Sequence, residues 1–208
     1  MKPHDIEMRS FEMISELLGD RVLDEQQAPI IKRVIHTTAD FDYVNNLKFS
    51  AGAVDKAITA LKAGTSIFTD TNMAASGINK PTLHKFGGQV YCFMADADVA
   101  QAAKEKQSTR AVACVDKAVD NPCIGVYIIG NAPTALMRLC ELIDQGRVSP
   151  ALVVGVPVGF VNVVECKEML MQRAVPYIVA QGRKGGSNVA AAIANALLYI
   201  AIGDERQC

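Results

Sequence analysis

Of all side chains, imidazole is best suited to give and take a proton near neutrality, because it ionises at about pH 6.5. The chain has three histidines, His4, His36 and His84, far apart in sequence. Only His36 stands in a suggestive setting, Arg33-Val34-Ile35-His36-Thr37-Thr38-Ala39-Asp40, at the end of an apolar helical stretch and one turn after a cation. The plain alternative is a histidine that simply ends a helix. With no HxH or HxxxH spacing and no cysteine close by, a metal site is not expected. Six cysteines occur without a CxxC pair; Cys166 precedes Lys167, but no histidine stands near enough in sequence to activate it. The GxSxG elbow, the GxxxxGK[ST] phosphate loop and the GxGxxG dinucleotide turn are all absent. Arg9, beside Ser10, and Arg110, in Ser108-Thr109-Arg110-Ala111, are cations next to apolar helix faces. Each can clamp a carboxylate through its guanidinium fork or snorkel into a surface ion pair. The chemistry left is a proton donor among anion binders.

These residues need elements to position them. Short apolar runs at Ser66–Phe68, Val90–Phe93, Gly125–Ile129, Leu152–Val154 and Tyr177–Ala180 read as strands. Helical patterns fill Asp5–Leu18, Glu25–Thr37, Ala53–Lys62, Val99–Glu105, Ala111–Val119, Thr134–Gln145, Val164–Gln172 and Asn188–Ile202. The alternation predicts one α/β domain over residues 1–208, a three-layer, open and mainly parallel sheet with helices on both faces. Ligands of such sheets bind beyond the carboxyl ends of the strands. The loops expected there are Thr69-Asp70-Thr71-Asn72-Met73, Gly130-Asn131-Ala132-Pro133-Thr134, Gly155-Val156-Pro157-Val158-Gly159-Phe160 and Gln181-Gly182-Arg183-Lys184-Gly185-Gly186-Ser187. Their small residues let main-chain N–H groups approach an anion.

Half the residues are hydrophobic but only 6% are aromatic, and Trp is absent, so the core must be aliphatic, as parallel strands covered on both faces require. The net charge of −1 and the lack of a long basic run argue against nucleic acid. The Gly182–Gly186 cluster suits a local anion site instead. No uncharged apolar stretch reaches bilayer length; the nearest, Ala151 to Val164, is broken by Gly155, Pro157, Gly159 and Asn162. A reduced cytoplasmic setting, with no membrane partner, is expected.

Together, Arg9-Ser10-Phe11, Val34-Ile35-His36, Thr69 to Met73, Thr109-Arg110, Gly130 to Leu136, Pro157 to Val161 and Gly185-Gly186-Ser187 resemble the motifs of the precorrin-8 (or cobalt-precorrin-8) methylmutases of cobalamin biosynthesis. The likeness runs from about Ile6 to Leu198 and rests on the order and spacing of motifs rather than on any one. It implies an isomerase that moves a methyl group from carbon 11 to carbon 12 of a contracted tetrapyrrole, without a cofactor, in a homodimer with sites near the subunit interface. The position matching the catalytic histidine is His36. Arg9, Arg33, Arg110 and Lys184 then become partners for the substrate's carboxylates, and Ser10 a hydrogen-bonding contact. Thr71, Asn72, Asn131, Gly159, Gly186 and Ser187 supply the rest of the binding edge. Where relatives commonly have smaller residues and a Ser before the Lys, this chain has Asn162 and Cys166. A non-catalytic corrinoid carrier would need the same anion pocket but no special place for His36. A nucleotide-binding α/β enzyme is a third reading, and the missing fingerprints count against it.

Overall fold

The computed structural model describes residues 3–203, with side chains from residue 5 onward. Cys208 and the side chain of His4 lie outside the described residues. The chain begins with α1 (Pro3–Leu18), α2 (Ala28–Thr38), α3 (Tyr43–Asn46), β1 (Leu47–Phe49), α4 (Ala53–Lys62) and β2 (Ser66–Thr69). There follow α5 (Asn72–Gly77), α6 (Lys80–His84), β3 (Val90–Tyr91), α7 (Ala97–Glu105), α8 (Arg110–Val119) and β4 (Ile124–Ile129). The last elements are α9 (Pro133–Asp144), β5 (Leu152–Gly155), α10 (Val163–Met171), β6 (Tyr177–Ala180) and α11 (Ser187–Ile202).

The six strands form one sheet in the order β1-β6-β5-β4-β2-β3, parallel except for β1 against β6. Successive strand residues face opposite layers, as the pleat demands. Ile67, Val126, Ile128, Leu152, Val154 and Ile178 pack under α1, α2, α4 and α11. Phe68, Tyr127, Ile129, Val153 and Val179 pack under α7, α8, α9 and α10. Each Leu or Ile so withdrawn from water contributes about 1.5–3 kcal/mol. This is the α/β arrangement with helices on both faces that the strand–helix alternation leads one to expect. α11, apolar almost all round, is the central helix of the first layer, the form a helix takes when protein surrounds it. No described helix is long and apolar enough to cross a membrane.

Four short elements differ from the sequence reading. β1, α3, α5 and α6 span between three and six residues each, too few to show a period. β1 runs antiparallel because α2 delivers the chain to the carboxyl edge, where Leu47 pairs with Ala180, the last residue of β6. The run from Val90 to Phe93 pairs over Val90–Tyr91 alone. His84 is the exposed last residue of α6 rather than part of a loop.

What the topology gives the site is a switch point. From β2 the chain goes to one side for β3 and to the other for β4, the place at which open α/β sheets take their ligands. Gly130 allows the start of α11 to close on it: a Cβ there would lie 2.9 Å from the Ala190 Cβ and 3.1 Å from the Ser187 Cα.

Candidate active site

The switch point carries an acid of its own. Asp70, 1% exposed at the end of β2, accepts the main-chain N–H of Gly130 at 2.8 Å, Asn131 at 2.9 Å and Ala132 at 2.7 Å. Burial pushes its carboxyl above the ordinary range, while the three N–H donors pull the other way. The expectation that this loop offers N–H groups to a ligand therefore needs correcting: these three are committed to Asp70. What remains at Asn131 is an exposed side chain. Next to Asp70, Thr71 caps α5 by accepting from the Ala74 N–H, and its hydroxyl meets that of Ser187 at 2.8 Å. Asn72 is exposed at the first position of α5. The start of α11, whose first-turn N–H groups a helix leaves without internal partners, thus sits at the middle of the edge.

Beside it, the loops after β5 and β6 are joined. Gly186 N–H donates to the Val156 carbonyl at 2.9 Å, and Gly159 N–H to the Arg183 carbonyl at 3.2 Å. Gly185 passes so close to the first loop that a Cβ would fall 2.2 Å from the Val156 oxygen. Asn162 takes the left-handed conformation (φ 58°) that Asn tolerates, turning the chain into α10. Cys166 is buried and donates to the Val163 carbonyl; burial pushes its thiol up to about 12, which leaves it inert.

His36 joins this rim through its own helix end. α2 stops at Ala39, in the left-handed conformation, and four residues beyond His36 Asp40 binds Lys184. The Lys184 ammonium bridges Asp40 and Asp42, each at 2.6 Å, and so ties the loop after β6 to the segment after His36. That contact holds the Asp40 carboxyl below its usual range. The His36 ring stacks on Phe11, with centroids 5.2 Å apart and planes inclined by 20°. With Ser10, Met13, Ile14, Leu17, Ile35, Ala39 and Phe41 it lines a cavity of about 310 Å³. Lost hydration lowers its pKa, the Arg33 charge lowers it further, and Glu7 opposes both. Ser10 donates to the Ile6 carbonyl at 2.8 Å.

The four cations named from sequence occupy different settings. Arg33 is buried, pairs with Glu7 at 2.8 Å, and lies over the rings of Phe11 and Tyr199. Its immediate role is to build the wall behind His36. Arg9 faces solvent and binds Glu12 and Glu16 along α1. Lys184 is half-exposed in its clasp, and Arg110 is exposed at the start of α8, beside the Thr109–Thr134 hydroxyl contact of 3.3 Å. A larger hollow of about 520 Å³ between α8 and α9 is neutralised internally, since Asp116 binds both Arg138 and Lys106. Among the described residues, no three of His, Cys, Asp or Glu gather closely enough to hold a metal ion.

Asp70, Glu7, Phe11 and Lys167 were not singled out from sequence. Asp70 left one signal, a lone acid directly after an apolar strand. Lys167 left another, a cation on the apolar stripe of Val163, Cys166 and Leu170.

Fold and edge define an open α/β protein with a carboxyl edge of Gly-, Ser- and Thr-rich loops and a histidine at one end. The family model for precorrin-8X methylmutase (CbiC) matches residues 5–200. A cobalt-precorrin-8 methylmutase of Salmonella typhimurium is 48% identical over 204 residues, 95% of this chain and 95% of that protein. One from Priestia megaterium is 42% identical over 201 residues, 97% of this chain and 89% of that one. The crystal structure of a precorrin-8X methylmutase from Thermus thermophilus superposes with a TM-score of 0.88 at 41% identity, covering 96% of each chain. The chain belongs to the precorrin-8X methylmutase family, and is accordingly an isomerase of cobalamin biosynthesis.

Proposed function

We propose that the reaction is migration of a methyl group from carbon 11 to carbon 12 of precorrin-8 or its cobalt complex, with protonated His36 as the proton donor. The observation that carries this reading is the place of His36, lining a largely apolar cavity and joined to the carboxyl edge through Asp40 and Lys184. A contracted tetrapyrrole has the matching chemistry: an apolar conjugated ring rimmed by acetate and propionate groups. Proton donation to the ring system withdraws electron density and lowers the barrier to a concerted shift, while the edge holds the macrocycle in the conformer that aligns the migrating carbon with its acceptor. The substrate carboxylates meet Lys184, Arg110, Ser187 and the first turn of α11, with Ser10, Thr71, Asn72, Asn131, Gly159 and Gly186 shaping the edge. Arg33 acts from behind His36, and Arg9 from α1.

No hydride or activated water takes part. Precorrin-8 labelled with carbon-13 in the methyl group on carbon 11 tests the shift directly. The label should appear on carbon 12 of the product; label left on carbon 11, or lost, overturns the reading.

The working form is a homodimer. Ile6, Met13 and Leu17 are 53%, 48% and 69% exposed along α1, beside the cavity, and Phe160 and Val161 are 83% and 78% exposed along the rim. A second copy would cover apolar surface of this kind. Sedimentation should give twice the chain mass at micromolar concentration, and a single-chain mass would contradict it.

A further inference from the structure

Helix α10 turns a buried stripe of Val163, Cys166, Lys167 and Leu170 toward the protein. Lysine is the anomaly in that row, with 0% of its surface exposed. An ammonium withdrawn from water is costly unless its donors are satisfied. Lys167 has no carboxylate partner among the described residues. Its Nζ donates instead to two main-chain carbonyls, Gly182 at 2.7 Å and Lys184 at 2.8 Å. The carbonyl between them, that of Arg183, accepts the Gly159 N–H at 3.2 Å. Three consecutive carbonyls of the loop after β6 are therefore used inside the protein.

The direction of these groups matters electrostatically. Carbonyl oxygens carry partial negative charge, and a rim meant for a polycarboxylate must not present them to the ligand. Drawing them inward also seats the neighbouring residues: Gly186 bonds to Val156, and the Lys184 side chain reaches Asp40 and Asp42. Burial lowers the Lys167 ammonium to about 8, so it keeps its charge at neutral pH. A fixed positive charge then lies beneath the loop as well.

We infer that Lys167 is a positioning residue for the reaction. From beneath, it pins the carbonyls of residues 182 to 184 away from the rim, so that Ser187 and the first-turn N–H groups of α11 face it as the anion-binding surface. The inference rests on the reading above that a polycarboxylate binds at this edge. Lys167 touches no substrate; it acts through the loop.

The test uses the full chain with Lys167→Met, which keeps the buried volume but removes every donor, and Lys167→Gln, which keeps two N–H donors on a slightly shorter stem. Hydrogen exchange read by mass spectrometry reports on the loop without substrate. In Lys167→Met, exchange over residues 156–160 and 181–187 should rise about tenfold while the strand peptides stay protected. With precorrin-8, KM should rise about tenfold with kcat per folded site little changed. Lys167→Gln should recover part of both. A merely structural role would instead lower the folded fraction and leave KM alone. Wild-type exchange in the loop of Lys167→Met overturns the pin. Lost protection with an unchanged KM overturns the positioning role. If Lys167→Met fails to fold, Lys167→Gln carries the same comparison. Failure of wild type to bind precorrin-8 would refute the substrate reading alone, because the exchange measurement decides the pin independently.

Discussion

Asp70→Asn removes the group that closes the switch point while nearly conserving its shape. In the wild type Oδ1 accepts the Gly130 N–H and Oδ2 accepts those of Asn131 and Ala132, all between 2.7 and 2.9 Å. The asparagine amide has one acceptor oxygen. Turned toward the pair at residues 131 and 132, it aims its NH2 at the Gly130 N–H, donor against donor. One charge-assisted bond is then lost outright, worth about 1.5–3 kcal/mol, and two become neutral at a cost of about 1 kcal/mol each. Burying an uncharged amide is cheaper than burying a carboxylate, consistent with the upward push on the Asp70 carboxyl, and returns part of that loss. The net destabilisation expected is about 2–4 kcal/mol, a fall in melting temperature of roughly 5–15 °C for a domain this size. Differential scanning calorimetry measures it, and hydrogen exchange should localise the loosening to residues 130–133. An unchanged melting temperature would refute the claim that Asp70 holds this loop.

The remaining expectations concern His36 and the joined loops. Because lost hydration and Arg33 lower the His36 pKa, the donor form of the free enzyme becomes the minority form at a lower pH than for an ordinary imidazole. kcat/KM should therefore fall as pH rises through that lowered value. The limb in kcat should lie higher, since bound carboxylates favour imidazolium; a flat kcat/KM between pH 5 and 8 would count against a proton donor. Gly185→Ala places a Cβ against the Val156 carbonyl, where 2.2 Å is far inside contact distance, so the two loops must part. Product affinity should drop by about tenfold or more in a fluorescence or absorbance titration, and wild-type affinity would show that the loop junction is immaterial.

Much of this architecture was legible because aliphatic strands and apolar helix faces leave strong local patterns. The run Leu152-Val153-Val154 needs no partner to be recognised, nor does the helix from Ala53 to Lys62. β1 was hidden because three residues, Leu47 to Phe49, acquire their strand character from pairing with β6, about 130 positions away. α5 was hidden in a loop because its start depends on the Thr71 cap and its packing on α11. Within the site, Gly, Ser and Thr after each strand announced the edge, and His36 announced itself by its neighbours. The partners of these groups could not be read so easily. That Asp70 would take the N–H groups of residues 130 to 132, that Glu7 would meet Arg33, or that Lys167 would reach residues 182 and 184, follows from tertiary placement alone. Arg9, by contrast, has its neighbours Glu12 and Glu16 along α1 itself.

The most direct test of the central claim is the visible absorption spectrum of precorrin-8, with and without cobalt, mixed with wild-type protein and with His36→Ala. Wild type should convert at least one of the two to the rearranged chromophore. His36→Ala should still bind, shifting the spectrum of the unconverted substrate, yet lose most turnover. A mutant that converts substrate at the wild-type rate would contradict the assignment of His36 as proton donor, and a wild type that binds both substrates without converting either would contradict the proposed reaction.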